Sequence, residues 1–267
     1  MPPVSELCGD LRHEHASLDR AVRDLDRTGW DRPTPAARWN VADTISHLCF
    51  FDEAAAMAIL DPEGFAAWRN ELVADMGSGS EPDVDLGRSL SGTDELLDRW
   101  RSSREAFVEA AAGTAGNDPT VRVAWFGPPM SIASFVTARI METWAHGVDI
   151  RDALHLTLSP DAESARLRHV CHIGFGARAF TFAAHGVSDP GDPVRLEAAS
   201  PDGSTWSWGP ERAEQRITGT ALEIALVFTQ RRHPTRTSVK AVGSTAETWL
   251  SIAQAFAGPP TVTPVDR

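Results

Sequence analysis

The chain of 267 residues has few cysteines, too few basic residues to balance its acids, and no long apolar run. Each shortage excludes something. Cys8, Cys49 and Cys171 are scattered without CxxC spacing, and an odd, low count fits a reducing cytosol rather than a disulfide framework. Cys49 lies two residues after His47, pointing away from it on a helix, and reads as a buried small hydrophobe. With 25 basic against 37 acidic residues the net charge is −12, which argues against the basic stripe that nucleic acid demands and against anionic membrane surfaces. No window approaches the ~18 uninterrupted apolar residues of a membrane span, and the N-terminal MPPVSELCGDLRHEHASLD is polar without an apolar signal core. A cytoplasmic location is expected. The stretch GSGS lacks the lysine and the strand-to-helix context of a phosphate loop, and it fails the nucleophile-elbow pattern of a serine hydrolase.

What is present is an ordinary globular composition, 42% hydrophobic and 23% charged, with helical periodicity over most of its length. Leu7, Leu11, Leu18, Val22 and Leu25 predict a first amphipathic helix from about Val4 to Arg27. Asn40 is placed to cap a second from about Val41 to Leu60, after a proline-containing loop anchored by Trp30 and Trp39. A short helix follows with Pro62 in its first turn, then GSGSEPDVDLGRSLSGT, the most loop-like stretch of the chain, expected to be a connection. A third principal helix runs from about Thr93 to Ala112, a short extended segment VRVAWFGPPM follows, and Ser131 starts a fourth. Four principal helices suggest a bundle with a site in its core. One further helical pattern runs from about Ala162 to Ala184; its GFG reads as close helix packing, and His169 and His172 as surface or core histidines outside any site. From Asp189 the pattern changes to short strand-like runs, with the hairpin signal Asp202-Gly203, two more helices and a loose tail. The fold class is therefore α plus α+β, with a helical domain over 1–187 and a small α+β domain over 188–267.

The chemistry concentrates in PMSIASFVTARIMETWAHGVDIRD, where Glu142 and His146 sit four residues apart on one helix. At that spacing they share a face, roughly 6 Å apart along the axis. A carboxylate and an imidazole converging from one face suit a divalent metal. Most such pairs are solvated surface pairs, but Ile140, Met141, Trp144, Val148 and Ile150 surround this one, where an unpaired carboxylate is costly. A third ligand is needed from elsewhere, and His47 in TISHLCFFDEAA is the best candidate. Asp43 and Asp52, on His47's helix, are candidates for orienting it, or else a solvated pair with Asp43 as a helix-start charge.

WNVADTISHL followed about a hundred residues later by METWAHGVDIRDAL resembles the metal-binding domain of the mycothiol-dependent maleylpyruvate isomerase family, within the DinB-like four-helix superfamily. The C-terminal module resembles that family's second domain as well. The resemblance implies His47, Glu142 and His146 as ligands, zinc as the metal (other divalent ions suit the same ligands), and mycothiol as thiol cosubstrate. It also implies a catalytic arginine at Arg231, in IALVFTQRRH, with Arg232 its nearest rival and Gln230 standing where the family usually has glycine. The implied activity is that of an isomerase or thiol S-transferase, acting on a small electrophilic substrate through a metal-bound thiolate. Metal-assisted hydrolysis and a non-catalytic metal- or ligand-binding role are the alternatives. Partners are then a small molecule and a low-molecular-weight thiol, with the chain a monomer or homodimer.

Overall fold

The computed structural model describes residues 2–36, 38–77, 81–118, 120–158 and 160–266. Ser78, Gly79 and Ser80, most of the GSGS stretch, lie outside them. By its contacts the chain divides into two compact units, Met1–Leu158 and Ser159–Arg267.

The first unit holds α1 (Val4–Val22), α2 (Arg27–Trp30), α3 (Val41–Leu60), α4 (Pro62–Gly77), α5 (Pro82–Arg88) and α6 (Thr93–Asn117), then strands β1 (Arg122–Val123) and β2 (Met130–Ser131), and α7 (Ile132–Ala153). The long helices α1, α3, α6 and α7 pack against one another as the bundle that the periodicity predicts. Their apolar faces form two clusters, one around Leu11, Ala55, Phe107 and Ile140, the other around Leu18, Ile45, Trp100 and Ile150. On α1, α3 and α6 a polar layer separates the two, carrying Glu14, His15, Asp52 and Ser103, all buried. The α7 helix is buried nearly all round: between Arg139 and Arg151 every residue except Glu142 is buried. Phe107 is fully buried, so truncating it to alanine would leave a cavity costing about 3–5 kcal/mol.

Two local expectations change. The first helix stops at Val22, because Asp26 caps a separate turn by accepting from the Gly29 amide at 2.8 Å. The stretch expected to be a connection contains α5, which starts with Pro82 at its first turn and carries Asp83 and Asp85 where a helix N-terminus favours acids.

The second unit holds α8 (Pro160–Gly176), α9 (Arg178–Ala184), β3 (Val194–Ala199), β4 (Thr205–Trp208), β5 (Gln215–Thr220), α10 (Ala221–Phe228), a 3-10 turn (Pro234–Arg236), β6 (Lys240–Val242) and α11 (Ser244–Ile252). Its sheet runs β4-β3-β5-β6, with β3 and β5 parallel and the other pairs antiparallel. Gly203 turns the β3–β4 hairpin at φ 84°, a left-handed angle that glycine adopts without strain. The change of pattern near residue 188 falls inside this unit. Helix α8 belongs with the sheet because Gly174 lets it approach α10, where a Cβ would lie 2.2 Å from the Phe228 ring, and Cys171 Sγ donates to the Ala221 carbonyl at 3.4 Å. The single helix expected to Ala184 breaks after Gly176, a weak helix former.

The tail, expected loose, is tied down. Gln230, at φ 60°, occupies the left-handed position that ends α10. Its amide donates to the carbonyls of Ala253 at 3.0 Å and Thr261 at 2.6 Å, and accepts from Thr261 Oγ1 at 2.8 Å. The Thr261 amide donates to Gln254 Oε1 at 3.1 Å. Among the described residues no helix is long and apolar enough to cross a membrane.

Candidate metal centre

Helix α3 begins with a capping box. Asn40 Oδ1 accepts from the Asp43 amide at 2.8 Å while Asp43 accepts from the Asn40 amide at 3.1 Å. That cap fixes the entry of the chain, so Trp39, just before it, sits over the next two turns. Its ring lies 4.8 Å from that of His47 and 5.8 Å from that of His146. The two imidazoles, one from α3 and one from α7, lie 4.7 Å apart with their planes inclined at 58°.

One turn before His146 on α7, Glu142 brings Oε2 to 3.6 Å from His146 Nε2. One ligand atom from each of His47, Glu142 and His146 lies within 4.8 Å of the others. Two ligands sharing a tetrahedral ion with bonds of ~2.1 Å stand ~3.4 Å apart, so the Glu142–His146 edge already has the right length. The side chains of His47, Glu142 and His146 are 16%, 24% and 11% exposed, which puts the cluster at an opening rather than in the sealed core.

The residue that orients His47 is Asp83, which the periodicity does not single out. Asp83 Oδ2 lies 2.7 Å from His47 Nδ1. Burial pushes its carboxyl up, but the hydrogen bond and charge of His47 and the backbone amides of Asp83 and Val84 outweigh this and hold it below the usual carboxylate value. An ionised Asp83 accepts, so Nδ1 carries the proton and Nε2 presents the lone pair. Helix α5 is held in place for this by the neighbour of His47. Ser46 Oγ donates to the Asp83 carbonyl and accepts from the Gly87 amide at 2.7 Å. A Cβ on Gly87 would come within 2.8 Å of Ser46 Cβ, so glycine permits the close approach. The sequence signal for Asp83 is the Pro82 helix start. On the other histidine, Asp149 Oδ2 stands 3.6 Å from His146 Nδ1, and Asp149 is fully buried. Its signal is the three-residue spacing after His146.

The two aspartates considered for orienting His47 have other partners. Asp43 closes the capping box and pairs with Arg88 at 3.2 Å. Asp52 is fully buried and accepts from Arg139 Nε and Nη2 at 3.1 and 2.8 Å. Cys49 is buried and burial pushes its thiol up to about 12, which suits the inert role expected of it. In the second unit, His172 accepts from Trp208 Nε1 at 3.0 Å and His169 is buried. Arg231 follows α10 and is 8% exposed, with Nη1 donating to the Thr229 carbonyl at 2.7 Å.

Two imidazoles and one carboxylate are a donor set that a catalytic zinc ion uses, with a coordination position left over. The residues present therefore fit such an ion. An uncharacterized protein of Mycobacterium tuberculosis strain H37Rv and one of strain CDC 1551 are each 41% identical to this chain over 251 residues, 94% of it and 95% of theirs. The fold is similar to the crystal structure of the mycothiol-dependent maleylpyruvate isomerase and to that of a histidine-to-alanine mutant of it. The TM-score is 0.59 for both, at 17% and 16% identity, over 90% of this chain and 93% of those. The family model described as the mycothiol maleylpyruvate isomerase N-terminal domain matches residues 11–151, which span α7 through Arg151 and hold His47, Asp83, Glu142 and His146. With that match over more than half of its length, the chain belongs to the mycothiol maleylpyruvate isomerase N-terminal domain family.

Proposed function

We propose that this chain is a metal-dependent enzyme that uses a low-molecular-weight thiol, mycothiol in the first instance, as an isomerase or S-transferase on a small electrophilic substrate. The observation that carries the reading is the convergence of His47, Glu142 and His146 within 4.8 Å. A divalent ion held there, zinc by the family resemblance, would supply Lewis acidity and lower the pKa of a thiol or water at its open position. The chain's own residues do the rest. Asp83 fixes the tautomer and aim of His47 at 2.7 Å. The half-buried Glu142 gives the site its most exposed ligand, while Trp39 packs at a tilt against both imidazoles. By the family resemblance Arg231, with Arg232 as its rival, would pair with an acidic group of the substrate. The three cysteines are free thiols, consistent with a cytoplasmic setting.

The test is elemental analysis of purified protein, followed by turnover of a metal-loaded sample with and without mycothiol. Stoichiometric metal and thiol-dependent turnover support the reading. Turnover that needs no thiol would move the assignment to metal-assisted hydrolysis, and absence of metal would remove it. For Arg231, replacement by methionine should raise KM for an anionic substrate about tenfold or more, the loss expected for a charge-assisted contact. A neutral substrate should be affected far less.

A further inference from the structure

Beside the metal triad the first unit carries a cluster of aromatic rings that the ligand geometry does not require. Phe51, one turn after His47, places its ring 4.7 Å from the imidazole. From Phe51 the chain of rings continues to Phe50 at 5.3 Å, Phe126 at 5.8 Å and Trp125 at 6.2 Å. Phe65 stacks on Trp125 at 5.4 Å with an interplanar angle of 2°, and Trp68 closes the circuit, 5.5 Å from Phe50 and 6.5 Å from Phe126. Only Phe65 of these six is buried; the other five are half-buried. They come from three separate elements: α3, α4 and the β1–β2 turn. The turn is fixed to α4 by Arg69, whose Nη1 donates to the Trp125 carbonyl at 2.7 Å while its guanidinium lies 5.9 Å from the Phe65 ring centre. So many partly exposed rings in mutual contact, ending on the His47 imidazole, make a rigid apolar wall beside the ligand cluster.

We propose that the ring cluster Phe50, Phe51, Phe65, Trp68, Trp125 and Phe126 is the subsite for a flat, apolar group of the electrophile, which makes the substrate a compound bearing an aromatic ring. The proposal deepens the thiol-enzyme reading and rests on it for the word electrophile. Ring faces of this kind reward a flat carbon skeleton through dispersion and edge-to-face contact. The six side chains carry only two hydrogen-bonding groups, the indole N–H of Trp68 and of Trp125, so a polyol stacked on them would leave most of its hydroxyls without a partner among the rings. The wall therefore fits the acceptor of the thiol rather than a hydroxyl-rich ligand.

The test uses zinc-loaded protein, no thiol, and 2,4-dinitroaniline, a flat quencher of tryptophan emission with no leaving group. Trp68 and Trp125 report from within the wall, and Trp39 from its contact with His47. Saturable quenching is expected, weakened about fivefold by Phe51→Leu and by Phe126→Leu, the loss of roughly one aromatic contact each. Metal content and circular dichroism check that the variants fold. If Phe51→Leu loses metal through its contact with His47, Phe126→Leu decides. Unsaturable quenching, or unchanged affinity in the deciding variants, overturns the proposal. Displacement of the probe by millimolar myo-inositol also overturns it, by giving the wall to a sugar. Because binding is read without turnover, a failure of the thiol reading shows separately, as saturable binding in a protein whose turnover does not depend on mycothiol.

Discussion

Two polar clusters lie between α3 and α7, little more than one helical turn apart, and they are built on opposite plans. In the deeper one, Asp52 meets Arg139 at 2.8 Å with side chains 0% and 4% exposed. Burial pushes the Asp52 carboxyl up, and the arginine brings it only part of the way back. In the shallower one, His47, Glu142 and His146 turn lone-pair donors toward a common point at an opening. The first cluster carries its own cation and joins two helices. The second gathers acceptors and sets further carboxylates, Asp83 and Asp149, behind the histidines. A buried charge supplied with its counter-charge is part of the fold; converging donors backed by negative charge form a place for a cation to bind.

That contrast breaks most sharply at Arg139. Replacing it with methionine leaves Asp52 buried without its partner and should cost about 3–5 kcal/mol in urea unfolding. The double variant Asp52→Leu with Arg139→Met should recover most of that loss, because no lone charge remains. His47→Ala should act in the other currency. It should abolish stoichiometric metal, and with it the zinc-induced stabilisation, about 2.7 kcal/mol at a hundredfold excess over Kd. The metal-free stability of that variant should fall only by the lost His47–Asp83 hydrogen bond, about 1.5 kcal/mol; a loss as large as that of Arg139→Met would mean the triad is structural.

Smaller effects sharpen the comparison. Asp83→Asn should weaken metal binding by 10–100-fold, as loss of a carboxylate behind a ligand histidine does, without removing the metal. Competition with a chromophoric chelator measures this, and unchanged affinity would strip Asp83 of its orienting role. The smallest effect is one of pH. The Arg101 hydrogen bond holds the Asp19 carboxyl below its ordinary value against the opposing effect of burial, helped by Arg104. A depressed carboxylate stabilises the fold above its unfolded pKa and loses that contribution as pH falls through the depressed one. The gap between wild type and Asp19→Asn in urea midpoint, about 1 kcal/mol at pH 6, should therefore close in acid. A gap that widened would reverse the sign of the argument.

The main helices are legible in the chain because each obeys a 3.6-residue apolar rhythm bounded by recognisable caps. Asn40 starts α3 and Ser131 starts α7 where their side chains suggest. Glu142 and His146 are legible for the same reason, since helical spacing alone puts them on one face. The break after Gly176 and the end of α1 at Val22 escape the same reading. They depend on single turns, where a glycine or an aspartate outweighs a continuing apolar pattern. The tail escapes it because its anchors, Gln230 and Gln254, are distant side chains with no local signature.

By itself the sequence determined an acidic, mostly helical protein with an α+β end, and a four-residue carboxylate–imidazole pair set among apolar neighbours. Those properties are local, written in spacing, composition and capping. Only the tertiary structure decided that Asp83, rather than Asp43 or Asp52, reaches His47, because that contact spans 36 residues and depends on Ser46 holding α5 in place. The ring wall is likewise assembled from three elements, and no window of the chain contains it. Contacts between distant segments follow from how whole helices pack, and packing is a property of the folded chain.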